Sequence, residues 1–125
     1  MPSTLRPVFV AFLSLLVAAG ASFGQGLGLL STWDSGLGAG TEIAAYDAAT
    51  ARLFVVNAET STVDVLDLSD PAAPTLVQSL DITEYGAGAN SVAVSDGVVA
   101  VAVEADDPQA AGSVVFYDTA GTFLH

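Results

Sequence analysis

Carboxylates are the side chains of this sequence that could do chemistry, since its 125 residues include 14 Asp and Glu, one His and no Cys. Nucleophilic catalysis lacks its usual groups, because there is no thiol and no Gly-x-Ser-x-Gly turn, and the only His stands at position 125. A Gly-rich phosphate loop followed by Lys is absent as well. What remains is coordination of a hard cation such as calcium, which takes about six to eight oxygen ligands from flexible loops.

Five carboxylates are candidate calcium ligands because they fall where strands should begin or end and where loops should open. They are Glu42, Glu59, Glu104, Asp106 and Asp107. The three glutamates recur at corresponding strand ends, whereas the two aspartates also fit the solvated tip of a hairpin. No Asp-x-Asp-x-Asp-Gly loop accompanies these residues.

The elements that must position these groups are strands, and their plan occurs twice. The first copy comprises IAAYD (43–47), LFVVNAE (53–59) and TVDVLD (62–67); the second comprises VAVSD (92–96), VVAVAVEA (98–105) and SVVFYD (113–118). Asp47 and Asp96 lie 49 residues apart, and Asp67 and Asp118 lie 51 apart, so the strands are kept while the loops vary. These four aspartates are expected to cap turns by accepting bonds from backbone N–H groups.

Repetition at a period of about 40 to 50 residues, with several short strands per unit, is typical of propeller blades. The sequence therefore predicts an all-β fold with about two four-stranded blades of a larger β-propeller. Blade one spans about 42–82, and blade two, which is incomplete, spans about 90–125. In such blades the loop after each second strand and the crossing between blades open on one rim, which would gather the candidate ligands.

Local signals add detail to this plan. Asp96-Gly97 between two apolar runs predicts a tight hairpin, and Thr75–Ile82 predicts an outer strand that follows a Pro-containing turn. Val98–Glu104 is almost wholly apolar, which predicts a strand covered on both faces. Leu29–Trp33 predicts a short strand that would complete the last blade of a closed ring, with Trp33 as a packing residue.

The first 24 residues predict a secretory signal peptide. Arg6 supplies the positive charge, Val8–Ala19 forms an apolar core, and small residues suited to cleavage follow it. The alternative is a membrane anchor, but the apolar run is shorter than the roughly 20 residues that span a bilayer and no basic stop follows it. Domain organisation is therefore expected to be a leader over 1–24 and the folded part over 25–125.

The charge balance restricts the partners. Beyond the leader the only Lys or Arg is Arg52, against 14 acidic residues, which excludes the phosphate backbone of a nucleic acid. The balance favours cations, mineral surfaces or basic partners. The cell envelope and an extracellular ligand are further candidate partners of an exported chain. The alternative is that acidity only keeps a Val- and Ala-rich surface soluble. Without Cys in an exported chain, apolar packing and strand pairing must hold the fold.

Two blades do not close a ring, because propellers contain roughly four to eight. Their large apolar faces would need covering, so we expect the remaining blades of the same chain to lie beyond position 125. The alternative is a short protein that dimerises or adds its strands to another sheet.

The strings LFVVNAETSTVDVLDLSDPAAPTLV (53–77) and NSVAVSDGVVAVAVEADDPQAAGSVVFYD (90–118) resemble the opening of the choice-of-anchor I family. That family comprises exported bacterial proteins related to the mesenchyme-specific cell surface glycoproteins of echinoderms. The strand plan is also similar to YVTN-type and lactonase-like propellers. The resemblance implies a secreted or surface-anchored β-propeller with biomineral or calcium associations, and it carries over no catalytic residue.

These observations predict an exported, surface-associated β-propeller at the bacterial envelope. We expect it to act as a noncatalytic binding or adhesion module that depends on calcium. The alternative is a metal-dependent hydrolase of the phosphatase or lactonase kind, whose site would lie in blades outside this sequence.

Overall fold

The structure, a computed structural model, describes residues 26–38 and 40–125 and is all-β over those ranges. Its strands are β1 (Thr41–Asp47), β2 (Arg52–Asn57), β3 (Thr62–Asp67), β4 (Thr75–Asp81), β5 (Gly88–Ser95), β6 (Val98–Glu104) and β7 (Ser113–Asp118). Over the described ranges there is no helix of the length and hydropathy that a membrane span requires. The predicted signal peptide lies outside the described residues.

Sheet A contains β1 to β4 in sequence order, and each neighbouring pair is antiparallel. The register places Phe54 opposite Val65 and Val56 opposite Val63, so one face of the sheet carries a block of large apolar side chains. Side chains alternate between faces along a strand, so Leu53, Val55 and Asp64 point to the other side, and Asn57 with them. Each face is thus defined by the sequence pattern of β2 and β3.

Sheet B contains β5, β6 and β7, again antiparallel and in sequence order. The β5–β6 turn confirms the predicted hairpin: Asp96 and Gly97 have φ of 50° and 80°, as a type I′ turn requires. The chain then returns along β7, where Tyr117 and Phe123 form an isolated antiparallel bridge. The bond from the Phe116 N–H to the His125 carbonyl (2.7 Å) also holds the end of the chain beside β7. Sheet B therefore has three strands, where the sequence predicted an incomplete four-stranded blade.

The core lies between the two sheets, where β5 packs across β1, β2 and β3. Side chains at most 7% exposed fill this layer from both sides, namely Phe54, Val56, Val63, Val65, Leu80, Ile82, Ala89, Val92, Val99, Val101, Val103, Val115 and Tyr117. Phe123 extends the layer at its edge by stacking on Tyr85, with ring centroids 5.4 Å apart. Apolar packing therefore holds the fold, as the absence of Cys indicated.

The two faces of β6 differ in how far their side chains are buried. In β6, Val99, Val101 and Val103 are buried, whereas Val98 is 40% exposed and Ala100 and Ala102 are half-buried. The described residues thus cover one face of β6, and coverage of the other face by a neighbouring blade stays a prediction. The packed face carries the large residues Val99, Val101 and Val103, whereas the other face carries the small residues Ala100 and Ala102.

The pairing of Leu29–Trp33 with the last blade of a closed ring stays a prediction, because no closed ring is among the described residues. Beside the two sheets that are described, the segment 26–38 forms no strand. It crosses the outer face of sheet A instead, where the Ser31 hydroxyl donates to the Pro71 carbonyl (2.7 Å) and Trp33 lines two cavities against that face. Side-chain contacts, rather than backbone pairing, fix the segment. Trp33 is half-buried there, as expected of a packing residue.

Candidate functional site

Three loops meet at one rim of the structure, as the strand plan predicted. The Ile82 N–H donates to the Ser61 carbonyl (3.1 Å), which ties the crossing between the sheets to the β2–β3 turn. The Ser61 hydroxyl donates to the Ala87 carbonyl (3.1 Å), and the Ala87 N–H donates to the Glu104 carbonyl (2.9 Å). The β2–β3 turn, the crossing and the end of β6 are therefore one hydrogen-bonded unit.

The five predicted calcium ligands all lie on exposed positions. Glu59 is in the β2–β3 turn, Glu104 ends β6 opposite Gly88, and Glu42 lies in the irregular start of β1. Asp106 and Asp107 belong to the β6–β7 loop, where the Asp107 carboxylate accepts from the Gln109 N–H (2.9 Å). This bond is typical of a solvated hairpin tip, the alternative role given to these two aspartates.

The hydrogen bonds of the rim join the turn of Glu59 to Glu104, but the candidate carboxylates do not form a metal site. Over residues 26–38 and 40–125, no three or more His, Cys, Asp or Glu side chains are grouped so that they could hold a metal ion. Hydrogen bonding to Glu84, a further carboxylate of the crossing, raises the pKa of Tyr85. The calcium site therefore stays a prediction.

The aspartates at the ends of strands cap turns, as expected. Asp47 accepts from the Thr50 N–H (3.0 Å), Asp67 from the Ser69 N–H (2.7 Å) and Asp118 from the Thr122 N–H (2.7 Å). Asp96 differs from the other three, because its contribution is the left-handed φ of the hairpin, which Asp tolerates better than most residues. The carboxylates of Asp47, Asp67 and Asp118 thus hold loops, whereas the backbone cap expected at Asp96 is not formed.

Hydrogen bonds lower the pKa values of three turn-capping aspartates. The Ser69 hydroxyl and backbone N–H lower the pKa of Asp67 below its ordinary value of 3.8. The Thr83 hydroxyl and N–H lower the pKa of Asp81 in the same way, and the Thr122 N–H lowers that of Asp118. Each carboxylate therefore stabilises the fold fully above the unfolded value and loses that contribution as the pH falls through its lower folded value.

We expect the urea midpoint of unfolding to fall as the pH drops below about 3.8, because protonation then removes these three acceptors. The measurement is a series of urea titrations followed by circular dichroism between pH 6 and about pH 2.5. A variant combining Asp67→Asn, Asp81→Asn and Asp118→Asn keeps an acceptor oxygen at each cap but cannot titrate there. The urea midpoint of this variant should fall less with decreasing pH than the urea midpoint of the parent chain. An equal fall of the urea midpoint in both proteins would contradict the assignment of the acid sensitivity to these three caps.

A second site, which the sequence did not reveal, lies on the outer face of sheet A. It is a cavity of about 300 Å³ between that face and segment 26–38. The lining residues are Trp33, Ser35, Leu37, Asn57, Thr60, Thr62, Asp64, Leu76 and Ser79. Asp64 and Asn57 are 4% and 2% exposed, and they are the buried polar side chains of the described fold.

The Asp64 carboxylate is held in place by three neutral donors. Its Oδ2 accepts from Asn57 Nδ2 (3.1 Å), while its Oδ1 accepts from the Ser79 hydroxyl (2.5 Å) and the Thr62 hydroxyl (3.3 Å). Gly40 backs this group, because a Cβ at that position would lie 2.4 Å from Asn57 Oδ1. The alternation of β3 marked Asp64 only as a polar residue of a half-buried strand, and nothing local showed that segment 26–38 would cover it.

A family model described as the choice-of-anchor I domain matches residues 42–124, which includes every strand except the first residue of β1. No curated protein and no solved structure gives a significant match. Because the family match spans more than half of the sequence, it confirms the resemblance in the strings 53–77 and 90–118: the chain belongs to the choice-of-anchor I domain family.

Proposed function

We propose that this chain is part of an exported, surface-associated β-propeller that acts as a noncatalytic binding or adhesion module, with calcium bound at its loop rim. Family membership associates the chain with the cell surface, as the family's description indicates. The export itself rests on the signal-peptide pattern of residues 1–24.

The propeller arrangement is supported by how the two sheets stack. Each is a meander of strands in sequence order, and the two pack through one face each. The outer face of sheet B carries small and apolar residues, with Ala100 and Ala102 half-buried beside Val98 and Val114, which are 40% and 52% exposed. A further sheet packed against such a face would remove this apolar area from water, as neighbouring blades do.

The observation that carries the binding role is the rim where three loops are joined by hydrogen bonds. Glu59 stands in the β2–β3 turn and Glu104 at the end of β6, both within this hydrogen-bonded unit, and Asp106 and Asp107 follow in the adjoining β6–β7 loop; all four are exposed. Calcium accepts carboxylates and backbone carbonyls from flexible loops, so side-chain rotation at these positions could complete a site. Binding of a cation would also relieve the repulsion of a chain with a formal net charge of −12.

We expect calcium to bind with a dissociation constant on the order of 10⁻⁴ to 10⁻³ M, the range of extracellular calcium modules. The measurement is isothermal titration of calcium chloride into the protein, with magnesium as the comparison ion. Removing two rim carboxylates with Glu59→Gln and Glu104→Gln should abolish the calcium heat, because the remaining oxygens cannot fill the coordination sphere.

The matched control is the pair Asp47→Asn and Asp70→Asn, which changes the net charge equally on the opposite rim. Asn keeps an acceptor oxygen for the Thr50 and Ala72 N–H groups that these residues cap. The control pair should bind calcium like the parent. No heat from the parent at millimolar calcium, or equal loss in both pairs, would remove calcium from the proposal.

A further inference from the structure

The buried carboxylate of Asp64 has no cation beside it in the described part of the chain. The sequence holds only two Lys or Arg, Arg6 and Arg52. Arg52 is the register partner of Asp67 and lies on the face of sheet A opposite Asp64, and its guanidinium donates to the Thr119 carbonyl (2.5 Å). Asp64 is thus surrounded by neutral donors alone, although a buried carboxylate is costly without a compensating positive charge.

The cavity in front of Asp64 has the composition of a small-ligand site. Its volume of about 300 Å³ is that of a small ligand pocket. Trp33, Leu37 and Leu76 supply an apolar wall, while the hydroxyls of Thr60 and Thr62 border the carboxylate. One negative charge on the floor and an indole in the wall are the two groups that attract a cationic nitrogen with an alkyl body.

From these features we propose that the cavity binds an alkylammonium group, with Asp64 as its counter-charge and Trp33 and Leu76 against its alkyl chain. The ammonium would donate to the carboxylate oxygens, and the alkyl chain would displace water from the apolar wall. Two sources supply this chemistry, a free primary amine or a lysine side chain of another protein. This inference concerns the outer face of sheet A and does not depend on calcium binding at the rim.

The chain offers a direct readout, because Trp33 is its only tryptophan. We expect n-butylamine to change the Trp33 fluorescence saturably and to bind at least tenfold more tightly than 1-butanol, which has the same length without the charge. Nα-acetyl-lysine methylamide, titrated in parallel, represents the side chain of a protein partner. Tighter binding of this compound than of n-butylamine assigns the site to lysine, and weaker binding assigns it to free amines.

Asp64→Asn tests the counter-charge and should reduce the preference for amine over alcohol to below threefold. Because this substitution alters a buried hydrogen-bonded group, a second variant is needed that keeps Asp64. Leu76→Lys places an ammonium at the cavity wall, where Leu76 is 50% exposed, and should block amine binding by occupying the site.

Val114→Lys is the matched control, because it adds the same charge at a position 52% exposed on sheet B. It should bind amine within twofold of the parent. Equal binding of butanol and butylamine, unchanged amine binding in a folded Asp64→Asn protein, or no Trp33 response to amine at about 100 mM would each overturn the proposal. Equal loss of amine binding in Leu76→Lys and Val114→Lys would do so as well.

Discussion

Replacing Phe54 by Ala should lower the free energy of unfolding by about 3 to 5 kcal/mol, the usual cost of emptying an aromatic site in a core. Phe54 is fully buried at the centre of sheet A, with Ala45 and Val65 as its register partners, and it faces the valines of sheet B. Truncation removes apolar contact on both sides of the inter-sheet layer. Urea unfolding followed by circular dichroism measures the change.

Two companion variants distinguish the loss of core packing from the effect of shortening any apolar side chain. Phe54→Leu keeps most of the volume and should cost only about 1 kcal/mol. Val114→Ala removes methyl groups that are 52% exposed on the outer face of sheet B, so we expect a change of about 0.5 kcal/mol. If Phe54→Ala unfolded at the same urea concentration as Val114→Ala, the two sheets would not pack through the face that carries Phe54.

The strands could be predicted from the sequence because local signals agree with the final pairing. In β3 the alternation of Val63 and Val65 with polar neighbours matches the register that sets Val65 opposite Phe54 in the apolar run of β2. Asp96-Gly97 fixes its hairpin through backbone conformation alone, with no help from distant residues. These features depend on neighbours in sequence, so the strand plan agrees with the structure.

The Asp64 cavity could not be predicted, because it depends on a contact between distant parts of the chain. Segment 26–38 has apolar residues that suit a strand, yet its position is set by the Ser31 bond to Pro71 and by Trp33. Periodicity says which face of β3 a residue occupies, but not what covers that face. A polar residue at Asp64 was therefore expected to be partly solvated and proves 4% exposed.

The loop rim could be predicted in part, unlike the strands, which could be predicted well, and the Asp64 cavity, which could not be predicted. Antiparallel order alone places the β2–β3 turn, the crossing and the end of β6 at one end of the sheets, and the bonds through Ser61 and Ala87 confirm it. The direction of an exposed Glu59 or Glu104 side chain depends on rotamers that no local pattern fixes. The position of the rim loops could thus be predicted, because backbone topology decides it. The geometry of the carboxylate ligands could not be predicted, because it depends on side-chain rotamers.

The backbone at Gly86 should make the crossing unusually sensitive to a single methyl group. Gly86 has φ of +156°, and a Cβ there would lie 2.2 Å from the Glu104 carbonyl oxygen and 3.1 Å from Val103 Cγ1. That carbonyl accepts the Ala87 N–H (2.9 Å), so the crossing cannot move away from β6 without losing the bond. We expect Gly86→Ala to cost about 2 to 4 kcal/mol, from backbone strain plus steric overlap.

Two other glycines separate strain from overlap. Gly97 has φ of +80° with nothing within 4 Å of its Cβ position, so Gly97→Ala should cost about 1 kcal/mol from conformation alone. Gly38 has open space around it and no positive φ, so Gly38→Ala should leave the unfolding free energy within about 0.5 kcal/mol. Amide exchange at Ala87 should speed up in Gly86→Ala and stay unchanged in the other two, because only that substitution displaces the crossing. Equal costs for Gly86→Ala and Gly97→Ala would show that the close approach to Glu104 does not occur.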